Sequence, residues 1–245
     1  MQSRLVPLSQ VRIKKSLASE LDHPWQSITM KRFIIFFAVM VCCDTIFSQQ
    51  FEIFAGPHIS STTYSIKSAA QPTDSKVGFH LGAGYKIPFD GILFFSPSIS
   101  YAMRGYKVQF NQPSYPPDLL AIDNNTTFHE LDVDPLLQFD LSKKASHPFI
   151  KVGPSFNFIL WGNEKYNLAT GESIDRTMKF STSNSYGRYN ASLVGQFGFE
   201  TSKGLIIYAY YLRGLISMNN EEQGPSIYNS MYGITLGKFL RSKKQ

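Results

Sequence analysis

The sequence predicts an all-β protein, an eight-stranded antiparallel up-and-down transmembrane β-barrel, on three observations. The first is a pair of segments, 127–141 and 148–161, in which apolar and polar side chains alternate. Successive side chains of a strand point to opposite faces, so each segment has one apolar face. The second is their length, since soluble strands usually have about 5–6 residues and membrane strands need about 9–11. The third is that similar segments recur with short and long connections in alternation.

The composition also favours strands over helices. Charged residues make up 17% of the 245 residues and aromatic residues 14%, a balance typical of β-rich proteins. The formal net charge of +6 does not indicate a nucleic-acid partner, because half of it lies in residues 1–48 and the rest is spread along the chain in mixed sign. We expect no nucleic-acid binding.

The first 48 residues are predicted to stand outside the folded domain. Lys31 and Arg32 precede an apolar stretch over 33–43, and the small residue Ser48 follows, which is the pattern of a secretory signal peptide over 30–48. The apolar stretch is shorter than the about 20 residues of a membrane-spanning helix. Residues 1–29 show no pattern, and we interpret them as an over-extended start. The single barrel domain is then 49–245.

Cleavage after Ser48 would remove the two cysteines of the chain, Cys42 and Cys43. The mature chain would then contain no disulfide, no thiolate metal site and no cysteine nucleophile. A lipoprotein is the alternative, because a cysteine follows an apolar run. Val41 is larger than the small residue that a lipidation motif has before its cysteine, which argues against it.

From residue 50 onward, eight strands are predicted in order. Seven have a clear apolar parity, over 51–59, 79–87, 93–103, 131–141, 150–160, 189–199 and 232–236. In the fifth of the eight strands, Leu160 takes the apolar parity together with Phe156 and Phe158. The segment 205–218 is apolar on both parities, so its register is not predicted.

The connections between these strands are of two kinds. The turns at 87–91, 142–147 and 202–204 are short and polar, with residue types that turns favour. The segments 65–76, 106–125, 163–186 and 217–229 are long. Short turns at one rim and long loops at the other describe a bacterial outer-membrane barrel with both termini in the periplasm.

The two faces of the strands predict two sets of residues. The lipid-facing set is Leu131, Val133, Leu137, Phe139, Val152, Phe156, Phe158, Ile234 and Leu236. The opposite parity gives a lumen charge network of Glu52, Lys86, Arg104, Glu130, Asp132, Asp134, Lys151, Arg188 and Glu200. Isolated buried ions are costly, so these charges must pair. We interpret the network as structural, with a gate or small-ion path as the alternative.

Two other classes of protein are weighed. A secreted, lipocalin-like barrel would bind a ligand in an apolar interior and present a polar exterior. A membrane-embedded hydrolase would need a nucleophile and base, for which Ser96, Ser98 and Ser100 with His129 are the candidates. His58 and His80 have the inward parity without a nucleophile beside them. No metal-ligand spacing is present, and we predict no catalysis, no cofactor and no metal.

Several motifs carry a resemblance to a known family. They are Gly-Phe-His-Leu-Gly-Ala-Gly-Tyr over 78–85, Glu-Leu-Asp-Val-Asp-Pro-Leu-Leu over 130–137, Pro-Phe-Ile-Lys-Val-Gly-Pro over 148–154, Tyr-Leu-Arg-Gly-Leu over 211–215 and Ile-Thr-Leu-Gly-Lys-Phe over 234–239. Over about 49–240 the chain resembles the PorT-like outer-membrane β-barrels typical of Bacteroidetes. The chain departs from the aromatic ending usual for such barrels, because Phe239-Leu240 is followed by Arg-Ser-Lys-Lys-Gln.

The resemblance implies an outer-membrane location and a part in protein export to the cell surface. The expected partners are outer-membrane lipid, the barrel-assembly machinery and a protein at the loops 106–125 and 163–186, because binding residues concentrate on loops held by a rigid scaffold.

Overall fold

The computed structural model of the chain describes residues 49–181 and 185–240. The predicted over-extended start at 1–29 and the predicted signal peptide at 30–48 lie outside the described residues. In the two described ranges, no helix has the length and apolarity needed to cross a membrane.

Ten β-strands make up the secondary structure of these ranges. They are β1 (Gln50–Ile66), β2 (Ala69–Ala70), β3 (Thr73–Asp90), β4 (Leu93–Gln109), β5 (Asp123–Asp140), β6 (His147–Asn167), β7 (Ser173–Thr177), β8 (Tyr189–Glu200), β9 (Leu205–Gly214) and β10 (Ser226–Leu240).

Eight of these strands close into one antiparallel ring. β1, β3, β4, β5, β6, β8, β9 and β10 follow one another around it in chain order. The ring closes between β1 and β10, which pair from Phe51 with Leu240 to Ser65 with Ser226. The short strands β2 and β7 fold back on β1 and β6. The predicted all-β, eight-stranded, up-and-down transmembrane barrel is confirmed.

The two ends of the barrel differ in their connections. At the short-turn end, β3–β4, β5–β6 and β8–β9 are joined by a few residues each. Gly91 and Gly204 occupy two of these turns with φ of 57° and 76°, a region that glycine adopts without steric cost. Phe51 pairs with Leu240 at this same end. The opposite end, the long-loop end, carries the longer connections.

At the long-loop end the strands are longer than the sequence predicts. β4 continues to Gln109 and β5 begins at Asp123, so the predicted loop 106–125 shortens to 110–122. β6 continues to Asn167, and β7 occupies part of the predicted loop 163–186. The outward side chains in these extensions include Lys107, Asn125 and Lys165, all exposed. The prediction was wrong here because it required an apolar outer face.

The nine residues predicted to face lipid all have the outward parity. Val133, Leu137, Val152, Phe156, Ile234 and Leu236 are exposed, and Leu131, Phe139 and Phe158 are half-buried. Aromatic side chains lie outward toward the long-loop side of this band, with Trp161 50%, Tyr189 78%, Tyr211 51% and Tyr232 52% exposed. A continuous apolar outer band edged by aromatic residues is the surface that a membrane barrel requires.

A β-bulge changes the parity of β6. His129 of β5 pairs with Trp161 whereas the next residue, Glu130, pairs with Ile159, so Leu160 is the extra residue. On the near side of the bulge Ile159 faces the lumen, in step with Ser155 and Asn157, and beyond the bulge Trp161 faces outward. The alternation predicted up to Leu160 therefore does not continue past it, because a bulge inserts one residue and shifts the alternation.

The register of β9, which the sequence left open, follows from its neighbours. Ile206, Tyr208 and Leu212 are buried toward the lumen, while Leu205 and Ile207 are exposed on the outside. Both parities are apolar because the inward residues pack in an apolar cluster and the outward residues lie in the outer band.

Candidate functional site

The lumen charges at the short-turn end form two ion-paired groups. Lys86 Nζ lies 2.7 Å from Asp140 Oδ2 and 2.7 Å from Glu200 Oε2, which joins β3, β5 and β8. Lys151 Nζ lies 2.9 Å from Glu52 Oε2, which joins β6 and β1 across the lumen. All five residues are at most 6% exposed. Each ammonium group therefore meets carboxylate within the lumen, as buried charges require.

Arg104 is the centre of a third ion-paired group, at mid-barrel. Its guanidinium group on β4 donates to the carboxylates of Glu130 and Asp132 on β5. Asn157 Nδ2 donates to Asp132 Oδ1 over 2.7 Å, and Ser192 Oγ donates to Asn157 Oδ1 over 2.7 Å. The group therefore ties together four neighbouring strands, β4, β5, β6 and β8.

Asp134 lies beside this group without joining its ion pairs. Its Oδ1 atom is buried and has no hydrogen-bond partner in the described part of the chain. The side chain lines a cavity of about 30 Å³ together with Asp132, His80 and Tyr210. This volume has room for about one water molecule. The lumen at mid-barrel is therefore filled almost completely by its own side chains.

The structure contradicts the prediction for Arg188. Its side chain is exposed rather than buried in the lumen. The guanidinium Nη1 donates to the carbonyl oxygens of Ile159 and Leu160 over 3.1 and 2.9 Å, and the group lies 4.5 Å from the Phe180 ring centroid. The inward parity was misleading because Arg188 precedes the first residue of β8, where the strand alternation does not yet apply.

The inward histidines stack on one another. The rings of His58 and His80 lie 5.6 Å apart at an interplanar angle of 21°. His58 Nε2 donates to the Met103 carbonyl over 2.9 Å. His80 Nε2 lies 2.9 Å from Thr235 Oγ1, and the Tyr210 hydroxyl lies 3.1 Å from His80 Nδ1. These bonds hold both rings across the lumen.

The wall formed mainly by β8, β9 and β10 is largely apolar. Its cluster comprises Leu136, Phe149, Val194, Ile206, Tyr208, Tyr210, Leu212, Met231 and Phe239. The prediction of a polar lumen therefore holds for the wall formed by β1 and β3 to β6 better than for the wall formed by β8, β9 and β10. Ion pairs on one wall and apolar side chains on the other fill the membrane part of the lumen.

A second apolar cluster fills the lumen at the long-loop end. It comprises Tyr64, Ile66, Tyr106, Val108, Phe128, Ile159, Met178, Tyr186, Met218 and Ile227. Burial raises the pKa of the Tyr186 hydroxyl well above its usual range, so this side chain is neutral inside the cluster. The upper lumen is therefore closed by aromatic and aliphatic packing.

Hydrogen bonds fasten the long loops to this cluster. The Tyr64 hydroxyl lies 2.7 Å from Ser114 Oγ and donates to the Pro116 carbonyl over 3.0 Å. Arg176 Nε lies 2.7 Å from Glu164 Oε1, and its Nη2 donates to the Pro117 carbonyl over 2.8 Å. The loop 110–122 is thus bound to β1 and, through Arg176, to β6 and β7.

The surface available to a partner is therefore smaller than the predicted loops 106–125 and 163–186. Within 106–125 and 163–186 the side chains of Tyr106, Val108, Tyr166, Met178 and Tyr186 are buried. The exposed apolar side chains of the first loop are Tyr115 at 38%, Leu119 at 62%, Leu120 at 54% and Ile122 at 49%. Among the described residues of these two predicted loops, the segment 115–122 is the accessible apolar part.

The candidate hydrolase residues are not brought together. The His129 ring stacks on Trp161 on the outer wall at 4.7 Å, and Tyr101 donates to or accepts from its Nδ1. Ser96 and Ser100 are buried on the lumen side of β4. The wall of the barrel separates the imidazole from these hydroxyls, so they do not form a nucleophile and base pair.

Sequence reasoning missed two buried ionisable side chains, His147 and Glu164. His147 was assigned to a turn, but it is the first residue of β6 and its Nε2 lies 2.9 Å from Asp140 Oδ2. It shares the inward parity of Lys151, so extending that parity back by four residues would have found it. Glu164 was assigned to a loop because the bulge before it had reversed the parity.

The comparisons with known proteins concern the whole barrel. The family model of the outer membrane protein β-barrel domain matches residues 47–220. Among solved structures, OprG of Pseudomonas aeruginosa is 14% identical, with a TM-score of 0.46, 80% of this chain covered and 98% of that chain. Ail of Yersinia pestis is 14% identical, with a TM-score of 0.41 and coverage of 78% and 99%.

Neisserial surface protein A is 10% identical, with a TM-score of 0.39 and coverage of 78% of this chain and 97% of that chain. No curated protein sequence matches this chain significantly. The family model spans more than half of the chain, and it agrees with a closed ring of eight strands with an apolar outer band. The chain therefore belongs to the outer membrane protein β-barrel domain family.

Proposed function

We propose that this chain is a non-conducting, non-enzymatic outer-membrane barrel that presents its long-loop end outside the cell as a binding surface for a protein partner. The observation that carries the proposal is the closure of the lumen at two levels. Ion pairs around Arg104 and Lys86 fill the membrane part, and the cluster around Tyr106 and Phe128 fills the long-loop end. A filled lumen leaves the outer surface and the loops for function.

The segment 115–122 is the proposed contact surface. It carries four exposed apolar side chains. Pro116 and Pro117 within it, and Ser114 just before it, are hydrogen-bonded to Tyr64 or Arg176. A surface that is ordered before binding loses less conformational entropy when a partner binds. This combination of exposed apolar area and anchored backbone supports a binding role for the segment.

The orientation and the route of assembly belong to the same proposal. The signal peptide over 30–48 directs the chain across the inner membrane, and the barrel-assembly machinery inserts it with both termini in the periplasm. Short turns on the periplasmic side and long loops outside are the arrangement of bacterial barrels. The resemblance to PorT-like proteins supports a more specific version, in which the partner at the loops is a protein being exported or a component of the export system.

Planar-bilayer recording tests the closed lumen. The purified wild-type barrel is expected to give no stable conductance, because eight strands enclose an interior just wide enough for side chains. A steady, ion-selective conductance from the wild type would contradict the proposal. It would also assign the Arg104 and Lys86 groups to an ion path.

Photo-crosslinking in intact cells tests the binding surface. A photo-reactive amino acid replaces Leu119, which is 62% exposed in the long loop, or Phe197, which is 61% exposed on the outer band. We expect a discrete protein adduct at Leu119 and none at Phe197. Equal adducts at both positions, or none at Leu119 and at the neighbouring Leu120, would overturn the proposed surface.

A further inference from the structure

Three potential metal ligands converge at the short-turn end of the lumen. Asp140 comes from the end of β5, His147 from the start of β6 and Glu200 from the end of β8. One ligand atom from each lies within 4.8 Å of the others, and all three side chains are buried. An imidazole nitrogen and two carboxylate oxygens are a donor set that zinc accepts in proteins.

The ring of His147 gives independent evidence that this position favours a cation. Its Nδ1 lies 2.9 Å from the Lys144 carbonyl oxygen, so Nδ1 carries the proton that this bond needs. In the neutral ring the other nitrogen, Nε2, then carries a lone pair. Nε2 is buried without a hydrogen bond, and the residue is 7% exposed.

The lone pair of His147 Nε2 faces two carboxylate groups. Nε2 of His147 lies 2.9 Å from Asp140 Oδ2 and 3.5 Å from Glu200 Oε2. A lone pair that faces carboxylate oxygens at this distance is repelled by them unless positive charge lies between. Either a second proton on the ring or a metal ion can supply that charge.

Lys86 supplies part of the positive charge that the two carboxylates need, but its ammonium group contacts the carboxylates and not the imidazole ring. Its Nζ is 2.7 Å from both carboxylates, so one ammonium group balances one of two negative charges. The same Nζ lies 4.4 Å from the Phe94 ring centroid. A long, flexible lysine can move toward that ring and keep a cation–π contact when it leaves the carboxylates.

A metal ion also has space beside the three ligands. A cavity of about 270 Å³ is lined by Gln50, Lys86, Pro88, Phe94, Asp140, Ala145, His147 and Glu200. Ala145 of this lining is an exposed residue of the β5–β6 turn. The cavity therefore reaches from the turn to the three ligand side chains, with room for a water ligand.

We propose that Asp140, His147 and Glu200 bind a divalent transition-metal ion of the Zn²⁺ type, with Lys86 displaced toward Phe94. Three protein ligands and one water complete a four-coordinate site. Imidazole favours transition metals, whereas Mg²⁺ and Ca²⁺ prefer oxygen ligands. The ion fastens the β5–β6 turn to β8, and Lys86 holds the same carboxylates together when the metal is absent.

Competition between Lys86 and the metal ion gives the sharpest test. Zn²⁺ is titrated by calorimetry into the tag-free, chelator-treated barrel, folded in detergent micelles, with Mg²⁺ titrated in parallel. We expect one Zn²⁺ per chain for the wild type and much weaker binding of Mg²⁺. Lys86→Met is expected to bind Zn²⁺ at least about tenfold more tightly, because an ammonium group no longer repels the ion at close range.

Ligand variants and an unrelated histidine complete the experiment. His147→Gln and Asp140→Asn are expected to lose at least about tenfold in Zn²⁺ affinity, whereas His129→Gln, altered on the outer wall, should bind as the wild type does. Titration with Co²⁺ should give a visible absorption band that His147→Gln lacks. This second readout on the wild type serves if Lys86→Met does not fold.

Three results would overturn the site. They are wild-type binding that is not stoichiometric, unchanged affinity and Co²⁺ absorption in His147→Gln, or a folded Lys86→Met that binds no more tightly than the wild type. In each case the cluster is an ion-paired group only.

Discussion

The same strands follow opposite rules in the membrane part of the barrel and in the part that projects at the long-loop end. At the level of the apolar outer band, Arg104 of β4 faces inward and Tyr101 faces outward. A few residues closer to the long-loop end, Tyr106 faces inward and Lys107 faces outward. β6 repeats this reversal with the inward Lys151 in the membrane part and the inward Tyr166 in the projection.

The surroundings of the outer face explain the reversal. Where lipid surrounds the barrel, the outer face must be apolar and polar residues are left to the lumen. Where water surrounds it, the outer face is polar and the lumen becomes an ordinary apolar core. One continuous barrel therefore combines the membrane architecture with the interior of a soluble barrel, the class that was weighed as an alternative for the whole chain.

The two parts also close the lumen by different interactions. Ion pairs in the membrane part depend on every partner, because removing one leaves an uncompensated buried charge. The apolar cluster at the long-loop end loses only contacts and transfer free energy when one member is truncated. Substitutions in the two parts should therefore differ in size and in how far their effects spread.

Arg104→Met should have the largest effect. It leaves Glu130 and Asp132 without their guanidinium partner inside the lumen, and breaking a buried pair costs about 3–5 kcal/mol. Urea unfolding in lipid vesicles, followed by tryptophan fluorescence, measures the loss. Arg188→Met is the matched control, since that arginine is exposed and should cost less than about 1 kcal/mol. Equal losses of unfolding free energy in the two variants would mean that the ion pairs of Arg104 do not stabilise the barrel.

Phe128→Ala tests the closure at the long-loop end. Phe128 is 1% exposed within the upper apolar cluster, and truncating a buried phenylalanine costs about 3–5 kcal/mol. We expect the damage to stay local, with faster proteolysis of the long loops while the membrane part keeps its resistance to unfolding in SDS. A barrel that unfolds in SDS at room temperature would show that the two closures are one cooperative unit.

Phe156→Lys tests the outer band. Phe156 is 54% exposed on the outside of β6, where a lysine at mid-depth of the bilayer should cost about 2–4 kcal/mol. Ser226→Lys places the same side chain on the outer face of β10 in the projection, opposite Ser65, where we expect a change within about 0.5 kcal/mol. Folding yield into vesicles measures both. Similar yields for the two variants would argue that lipid does not contact the band.

The sequence predicted most of the membrane part because one physical rule acts on every strand there. Alternation gave seven of the eight strands, the outward positions of residues such as Phe156 and the inward positions of Lys86 and Glu130. The prediction failed where the apolar-outside, polar-inside alternation ends. The reversal of polarity hid the ends of β4 and β6, and the single extra residue Leu160 reversed the parity beyond it.

The candidate site was predicted less completely, because it depends on contacts across the lumen. Lys86 and Glu200 were placed on the inward face. The ion pairs of Lys86 with both Glu200 and Asp140, however, follow only from the tilt and register of the closed ring. Arg188 was misplaced since parity has no meaning one residue outside a strand. His147 needed the true start of β6.

Gly78→Ala should have the smallest effect of the four substitutions, and it measures how little space the membrane part of the lumen leaves. His58 pairs with Gly78 on one side and Gly233 on the other, so both neighbours leave room for its ring. A Cβ at position 78 would overlap the Met103 carbonyl oxygen and lie 2.5 Å from His58 Nε2, the atom that donates to this carbonyl. Displacing the ring together with the Met103 carbonyl should cost about 1–3 kcal/mol. Gly195→Ala on β8 is the control, because an added Cβ meets no atom within 4 Å there. Urea midpoints in vesicles compare the two. A Gly78→Ala barrel as stable as the Gly195→Ala barrel would mean that the stacked histidines can move, and that the lumen is filled less tightly than its ion pairs suggest.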